Sequence, residues 1–132
     1  MPISEFCARS GRLVVVCGLL LVWGGCGDAP RAANVDAGKA REALRTTLDG
    51  WKSGKRPDDL RAGGAGITAQ DMDWLAGLVL VSYEMMDDGK FDDANLRVPV
   101  ELTLRDPNGR EAKKRVSYVV GTSPSVTVFR EL

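Results

Sequence analysis

Leu96-Arg97-Val98-Pro99-Val100-Glu101-Leu102-Thr103-Leu104-Arg105, followed by Asp106-Pro107-Asn108-Gly109, is the stretch that decides how this 132-residue chain folds. Leu96, Val98, Val100, Leu102 and Leu104 alternate with Arg97, Pro99, Glu101, Thr103 and Arg105, the two-residue period of a strand with one buried face. The tetrapeptide after it is a turn, with Pro107 where φ must be near −65° and Gly109 where the backbone must turn left-handed. A three-residue loop with a Gly bulge pairs residues whose numbers sum to 216. Glu101 then faces Arg115, Arg105 faces Glu111, Val100 faces Val116 and Val98 faces Tyr118. Such pairs contribute from a few tenths to about 1 kcal/mol each. A slip of one residue would set Val100 against Arg115 and turn the apolar set to the wrong face. Lys114 opposite Leu102 is the misfit, and predicts a sheet end where the lysine stem can snorkel.

Outward from this hairpin, Gly121-Thr122-Ser123-Pro124 makes a corner before a last strand over residues 125–130. On the other side, residues 78–86 are rich in Val, Tyr and Met and apolar on both parities at first, which predicts a central or twisted strand. An acidic turn region, residues 87–95, joins the two. Residues 67–74 read as an extended approach to the sheet, and the Gly-rich residues 62–66 as a loop. Gly63-Gly64-Ala65-Gly66 lacks the preceding strand and the Lys-Ser/Thr ending of a phosphate-binding loop.

The helical signal lies over residues 35–52, where Ala40, Ala43, Leu44, Thr47, Leu48 and Trp51 recur at three- and four-residue spacing. Asn34 or Asp36 can cap its start, Lys52 and Lys55 suit its negative end, Gly54 suits a left-handed stop and Pro57 prevents continuation. Pro57-Asp58-Asp59-Leu60-Arg61 can add one helical turn with Pro first. A sheet with one apolar face needs a cover, and this helix has the complementary stripe. The expected fold is therefore α+β, one N-terminal helix packed on a curved four-stranded antiparallel sheet, a cystatin-like or NTF2-like roll by analogy of architecture.

Ahead of the helix stands Leu21-Val22-Trp23-Gly24-Gly25-Cys26-Gly27. It resembles the lipobox of a bacterial lipoprotein precursor. Arg9 and Arg12 supply a positive start and residues 13–23 an apolar run. Eleven helical residues reach roughly 16 Å, about half a hydrocarbon core, so the run is short for a spanning helix. Trp23 departs from the lipobox pattern, where a branched aliphatic residue is usual three places before the cysteine. The resemblance implies a signal peptide over residues 1–25, lipid on the sulfur of Cys26, a tether over residues 26–33 and one α+β domain over residues 34–132. Cys7 and Cys17 would leave with the signal, so the mature chain would hold no thiol for a disulfide, redox couple or metal.

Composition narrows the chemistry further. Of 18 basic and 18 acidic residues, removal of Arg9, Arg12 and Glu5 leaves 16 and 17, a balance that gives no electrostatic case for nucleic acid. There is no histidine, which excludes Ser-His-Asp and Cys-His catalysis and removes the commonest ligand for zinc, copper or iron. No cofactor and no metal is expected.

Trp51-Lys52-Ser53-Gly54-Lys55-Arg56-Pro57-Asp58-Asp59-Leu60, residues 100–110 and Tyr118-Val119-Val120-Gly121-Thr122-Ser123-Pro124 together resemble small uncharacterised lipoproteins of planctomycete-type bacteria. The shared segments are a helix stop, a hairpin turn and a strand corner. The resemblance implies an address and a fold, and carries over no catalytic residue.

Three acidic groupings have chemical interest. Asp87, Asp88, Asp92 and Asp93 around Gly89 could hold a hard cation, but their spacing departs from the EF-hand loop and a solvated turn explains them as well. Asp71 and Asp73, followed by Trp74, could form an acid/base pair; as loop and cap residues beside a core Trp they have a plainer account. Glu84 lies within a strand, where burial would raise its pKa, although an exposed or paired Glu is the commoner case. Lys113-Lys114-Arg115 splits between two faces of a strand and suits protection against edge pairing better than membrane contact. The leading expectation is a non-enzymatic, periplasm-facing protein, held to the membrane by lipid on Cys26, that binds another envelope component or assembles with itself. Its contact surface would be an exposed sheet face or the Trp74 region. The alternative is a small-ligand binder or cryptic enzyme using the concave mouth of the roll with Asp71, Asp73, Trp74 or Glu84.

Overall fold

The computed structural model describes residues 34–132, so the stretches expected to be a signal peptide and a tether, with Cys26, lie outside the described residues. The first element among the described residues is helix α1 (Ala37–Lys52), whose cap Asp36 accepts a hydrogen bond from the Lys39 amide at 3.0 Å. Its end is closed by Gly54 at φ 90°, with Gly54 N–H donating to the Trp51 carbonyl and Lys55 N–H to the Gly50 carbonyl. That crossed pair satisfies two orphan carbonyls of the last turn. Helix α2 (Pro57–Ala62) follows with Pro at its first position, and the Asp59 carboxylate accepts from the Arg56 amide at 2.8 Å.

The sheet is larger and more mixed than the sequence predicts. Its strands are β1 (Ile67–Gln70), β2 (Val79–Met85), β3 (Lys90–Asp92), β4 (Asn95–Arg105), β5 (Glu111–Gly121) and β6 (Val126–Arg130). They run in the order β1-β6-β5-β4-β2, with β3 also paired to β4. Six strands replace the expected four, and the β1–β6 pair is parallel, aligning Ile67 with Val126 through Gln70 with Phe129. The fold is thus α+β with a curled mixed sheet and a helix against it, and the four-stranded antiparallel version is corrected. Residues 67–74 divide into β1 and a four-residue helical turn, α3 (Met72–Leu75), rather than one extended approach.

The central hairpin follows the register read from the turn. Glu101 pairs with Arg115, Arg105 with Glu111, Val100 with Val116 and Val98 with Tyr118. Asp106 N–H donates to the Arg110 carbonyl at 2.9 Å, leaving Pro107, Asn108 and Gly109 as the loop, with Gly109 at φ 81°. All five alternating apolar residues of β4 are buried.

Strand β2 corrects the expectation of a central strand, because it pairs with β4 alone and forms an edge. A bulge at Val81 explains the misleading pattern: Leu80 stands opposite Leu104, but Ser82 stands opposite Thr103. The extra residue inverts the parity of the strand, so Leu80 faces the core before it and Tyr83 and Met85 after it.

Helix α1 lies on the inner face and buries Ala40, Leu44, Leu48 and Trp51 against Val98, Val100, Tyr118, Val120 and Val128 of the sheet. No helix among the described residues is long and apolar enough to cross a membrane.

Candidate functional site

Asp71 and Asp73 come together in space, and their surroundings define what they can do. Asp71 caps α3, its Oδ1 accepting from the amides of Asp73 at 2.8 Å and Trp74 at 3.1 Å. The same oxygen accepts from Arg130 Nη1 at 3.2 Å, and Oδ2 accepts from the Tyr118 hydroxyl at 2.5 Å. Four donors therefore occupy a carboxylate only 3% exposed. Three of them converge on Oδ1 and one on Oδ2, so both carboxylate oxygens are partnered.

Asp73 accepts from Arg130 and, at 3.2 Å, from Lys114. Burial pushes its pKa up, but the hydrogen bonds and charges of Arg130 and Lys114 outweigh that and hold it below the ordinary carboxylate value. Burial likewise works against the Arg130 charge, yet the two carboxylates keep its pKa above normal. The network has two anions, two cations and one phenol, and it ties α3 to the inner face of β5 and β6. It also resolves the misfit at Lys114, whose ammonium reaches Asp73 while remaining half exposed.

Glu84 does not join this group. It is exposed on the outer face of β2, directly opposite Glu101, which Arg115 and Lys113 neutralise. Burial, the property on which a chemical role for Glu84 depended, is absent at this position. The acidic turn is also occupied locally: Asp87 accepts from the Gly89 amide at 2.7 Å, and Asp92 pairs with Arg97 at 2.8 Å. Among the described residues, no three Asp, Glu or Cys side chains converge as a metal-binding group.

The phenols carry a direct test. Burial and then the Asp71 charge push the Tyr118 pKa far up; burial and then the hydrogen bond to Asp49, at 2.7 Å, push Tyr83 up to about 12. Protonated phenols thus stabilise the folded state. That contribution is complete below the unfolded value of 10.0 and is lost as pH rises through the folded values. These are both tyrosines of the chain. A folded sample is therefore expected to show no tyrosinate absorbance up to about pH 11, while the urea-unfolded chain titrates near pH 10. Tyrosinate absorbance rising near pH 10 in the folded sample would contradict the arrangement.

Trp74 belongs to a second feature. Its indole stacks on that of Trp51, with centroids 5.4 Å apart and planes 10° from parallel. Trp74 Nε1 donates to the Lys55 carbonyl and Trp51 Nε1 to the Leu78 carbonyl, each at 2.9 Å. Both rings are buried, at 3% and 8% exposure, so they form the floor of a cleft rather than an open platform. The cleft has a volume of about 520 Å³. One bank carries Lys52, Lys55 and Arg56, the other Leu75, Leu78 and Val79. Sequence reading named the Trp74 region as a contact surface but took Lys52 and Lys55 only as punctuation at a helix end. The available signal was three cations within five residues of a tryptophan, too local to reveal an apolar bank supplied by residues 75–79.

Comparison of the chain with protein-family models, with curated proteins and with solved structures finds no match.

Proposed function

We propose that this chain is a lipid-anchored cell-envelope protein that acts as a non-enzymatic binding or assembly module. The observation that carries the reading is the state of the Asp71 carboxylate, which is buried with two backbone amides and Arg130 on Oδ1 and Tyr118 on Oδ2. A general base needs a lone pair aimed at substrate. Exposed apolar side chains, in contrast, gather where α3 meets β2: Met72, Leu75 and Val79. Patches of this kind mark contact surfaces. The alternative, a small-ligand binder or enzyme using Asp71, Asp73 and Glu84, has less support because Glu84 stands on the outer face away from the other two. We read the helix and curled sheet as a cystatin-like or NTF2-like roll enlarged by extra strands.

The anchor rests on the lipobox-like Leu21–Cys26 stretch and on a chain that would otherwise export a spare thiol. Expressed in a bacterium and fed radioactive fatty acid, the wild-type chain should be labelled and should sediment with membranes. The Cys26→Ser variant should lose the label. If both forms are unlabelled and both stay with the membrane, the lipoprotein reading is wrong.

A further inference from the structure

Beyond the cleft, the molecule carries a surface of opposite character at its other end. The short strand β3 presents Phe91, 72% exposed, with Asp87 and Asp88 in the turn before it and Asp93 in the turn after it. None of these three carboxylates forms an ion pair among the described residues; Asp92 is held by Arg97, and the opposing charges nearby are Lys90 and Arg41, whose guanidinium donates to the Asp88 carbonyl. An exposed Phe ringed by carboxylates has the chemistry of a plug. The cleft has the chemistry of a socket: Leu75 and Val79 are 63% and 48% exposed, and Lys52, Lys55 and Arg56 form no ion pair among the described residues. The one carboxylate lining it, Asp58, is held by Arg61 at 3.1 Å.

We infer that the Phe91 turn of one copy docks in the Lys52–Val79 cleft of a second copy, so that the chain assembles head to tail. This rests on the reading of the protein as a binding or assembly module and names its partner. Plug and socket cannot meet within one molecule. The plug lies beside the start of α1, where Arg41 donates to the Asp88 carbonyl at 3.2 Å and the β3–β4 turn adjoins the Asn95–Gly121 pair. The socket lies at the other end of α1 and of β4, beside Trp51 and the Val79–Arg105 pair. An eleven-residue strand separates such ends by roughly 35 Å. Near-zero net charge thus conceals a bipolar molecule, in which like ends repel and unlike ends attract. The two surfaces differ, so the contact is heterologous, and it propagates unless its rotation closes a ring.

The test uses the full chain in mild detergent, by sedimentation velocity with the micelle mass accounted for. The wild type should gain mass with concentration, and lose the gain in about 1 M salt, where charges beyond roughly 3 Å are screened. Phe91→Asp removes the plug, and Lys55→Glu with Arg56→Glu removes the socket; all three positions are exposed, so folding should be kept. Each variant alone should associate at least tenfold more weakly than the wild type. Mixed in equal amounts, the two should form a 1:1 pair, because one retains the socket and the other the plug. A wild type that stays monomeric, variants that associate as the wild type does, or a mixture that forms no pair would each overturn the inference. Loss of fatty-acid labelling would not touch it, so its failure and the failure of the anchor are separable.

Discussion

Asp71→Ala is expected to lower folding stability by about 3–5 kcal/mol, the range found when one partner of a buried ionic network is removed. Arg130, whose side chain is only 10% exposed, would keep Asp73 but lose half of its carboxylate neighbourhood. The Tyr118 hydroxyl, on a residue nearly inaccessible to water, would be left without its acceptor, and α3 would lose its cap. Each unsatisfied buried group adds about 1–3 kcal/mol and a lost cap about 1 kcal/mol. Against a total stability of order 5–15 kcal/mol, the variant should sit near its unfolding threshold at room temperature. Tyr118→Phe is the milder variant: it removes the one donor on Oδ2 while Oδ1 keeps three and Arg130 keeps both carboxylates, and should cost about 1–3 kcal/mol. Urea titration of the three proteins at neutral pH measures the order. An Asp71→Ala variant no weaker than Tyr118→Phe would show the network to be unimportant for the fold.

A second large effect is expected at Trp51. Truncation to Ala empties the space between α1 and α3 and removes both the stack on Trp74 and the donor to the Leu78 carbonyl. Large-to-small aromatic truncations of buried residues cost about 3–5 kcal/mol. The stack itself contributes about 0.5–1.5 kcal/mol beyond burial. Trp51→Phe should recover most of the packing and keep a stack, leaving the Leu78 carbonyl unpaired, for a loss of about 1–2 kcal/mol. Denaturant midpoints give the energies, and the circular-dichroism signal of coupled indoles should vanish in both variants. Persistence of that signal in Trp51→Ala would assign it elsewhere.

Much of the fold was legible where local chemistry sufficed. The Asp106–Gly109 turn fixes the β4–β5 register because its loop length, its left-handed glycine and the alternation on both arms agree. The helix from Ala37 to Lys52 is equally local, with Asp36 as its cap and Gly54 as its stop. What escaped depends on distant partners. Strand β1 has four residues, so its one cycle of alternation, Ile67 and Ala69 inward, is too short to decide, and it becomes a strand only because β6 lies beside it. Strand β3 has three residues and exists by pairing with β4. At β2 the pattern misled outright, since the bulge at Val81 makes an edge strand read as one buried on both faces.

The candidate site divides in the same way. The Asx cap at Asp71 is a short-range motif, and the sequence already held it as the plainer account. Its long-range partners could not be read, because Tyr118 and Arg130 arrive from 47 and 59 residues away. Glu84 could not be placed on the outer face without knowing where the bulge falls. The cleft beside Trp74 needs α3 to bring Leu75 against the end of α1, a contact no periodicity announces.

The parallel pairing of Ile67–Gln70 with Val126–Phe129 sets an order of events for a chain made from one end. The first of these strands waits some 59 residues for its partner, and the Asp36 amide waits 86 for Thr122. Closing such long loops is slow compared with forming the hairpins between them. Helix α1 therefore has no finished surface to land on until the last strand has been delivered. Whatever threads this chain N-terminus first, through a pore or from a ribosome, keeps β1 without a neighbour until β6 is released, because β6 alone joins β1 to the rest of the sheet.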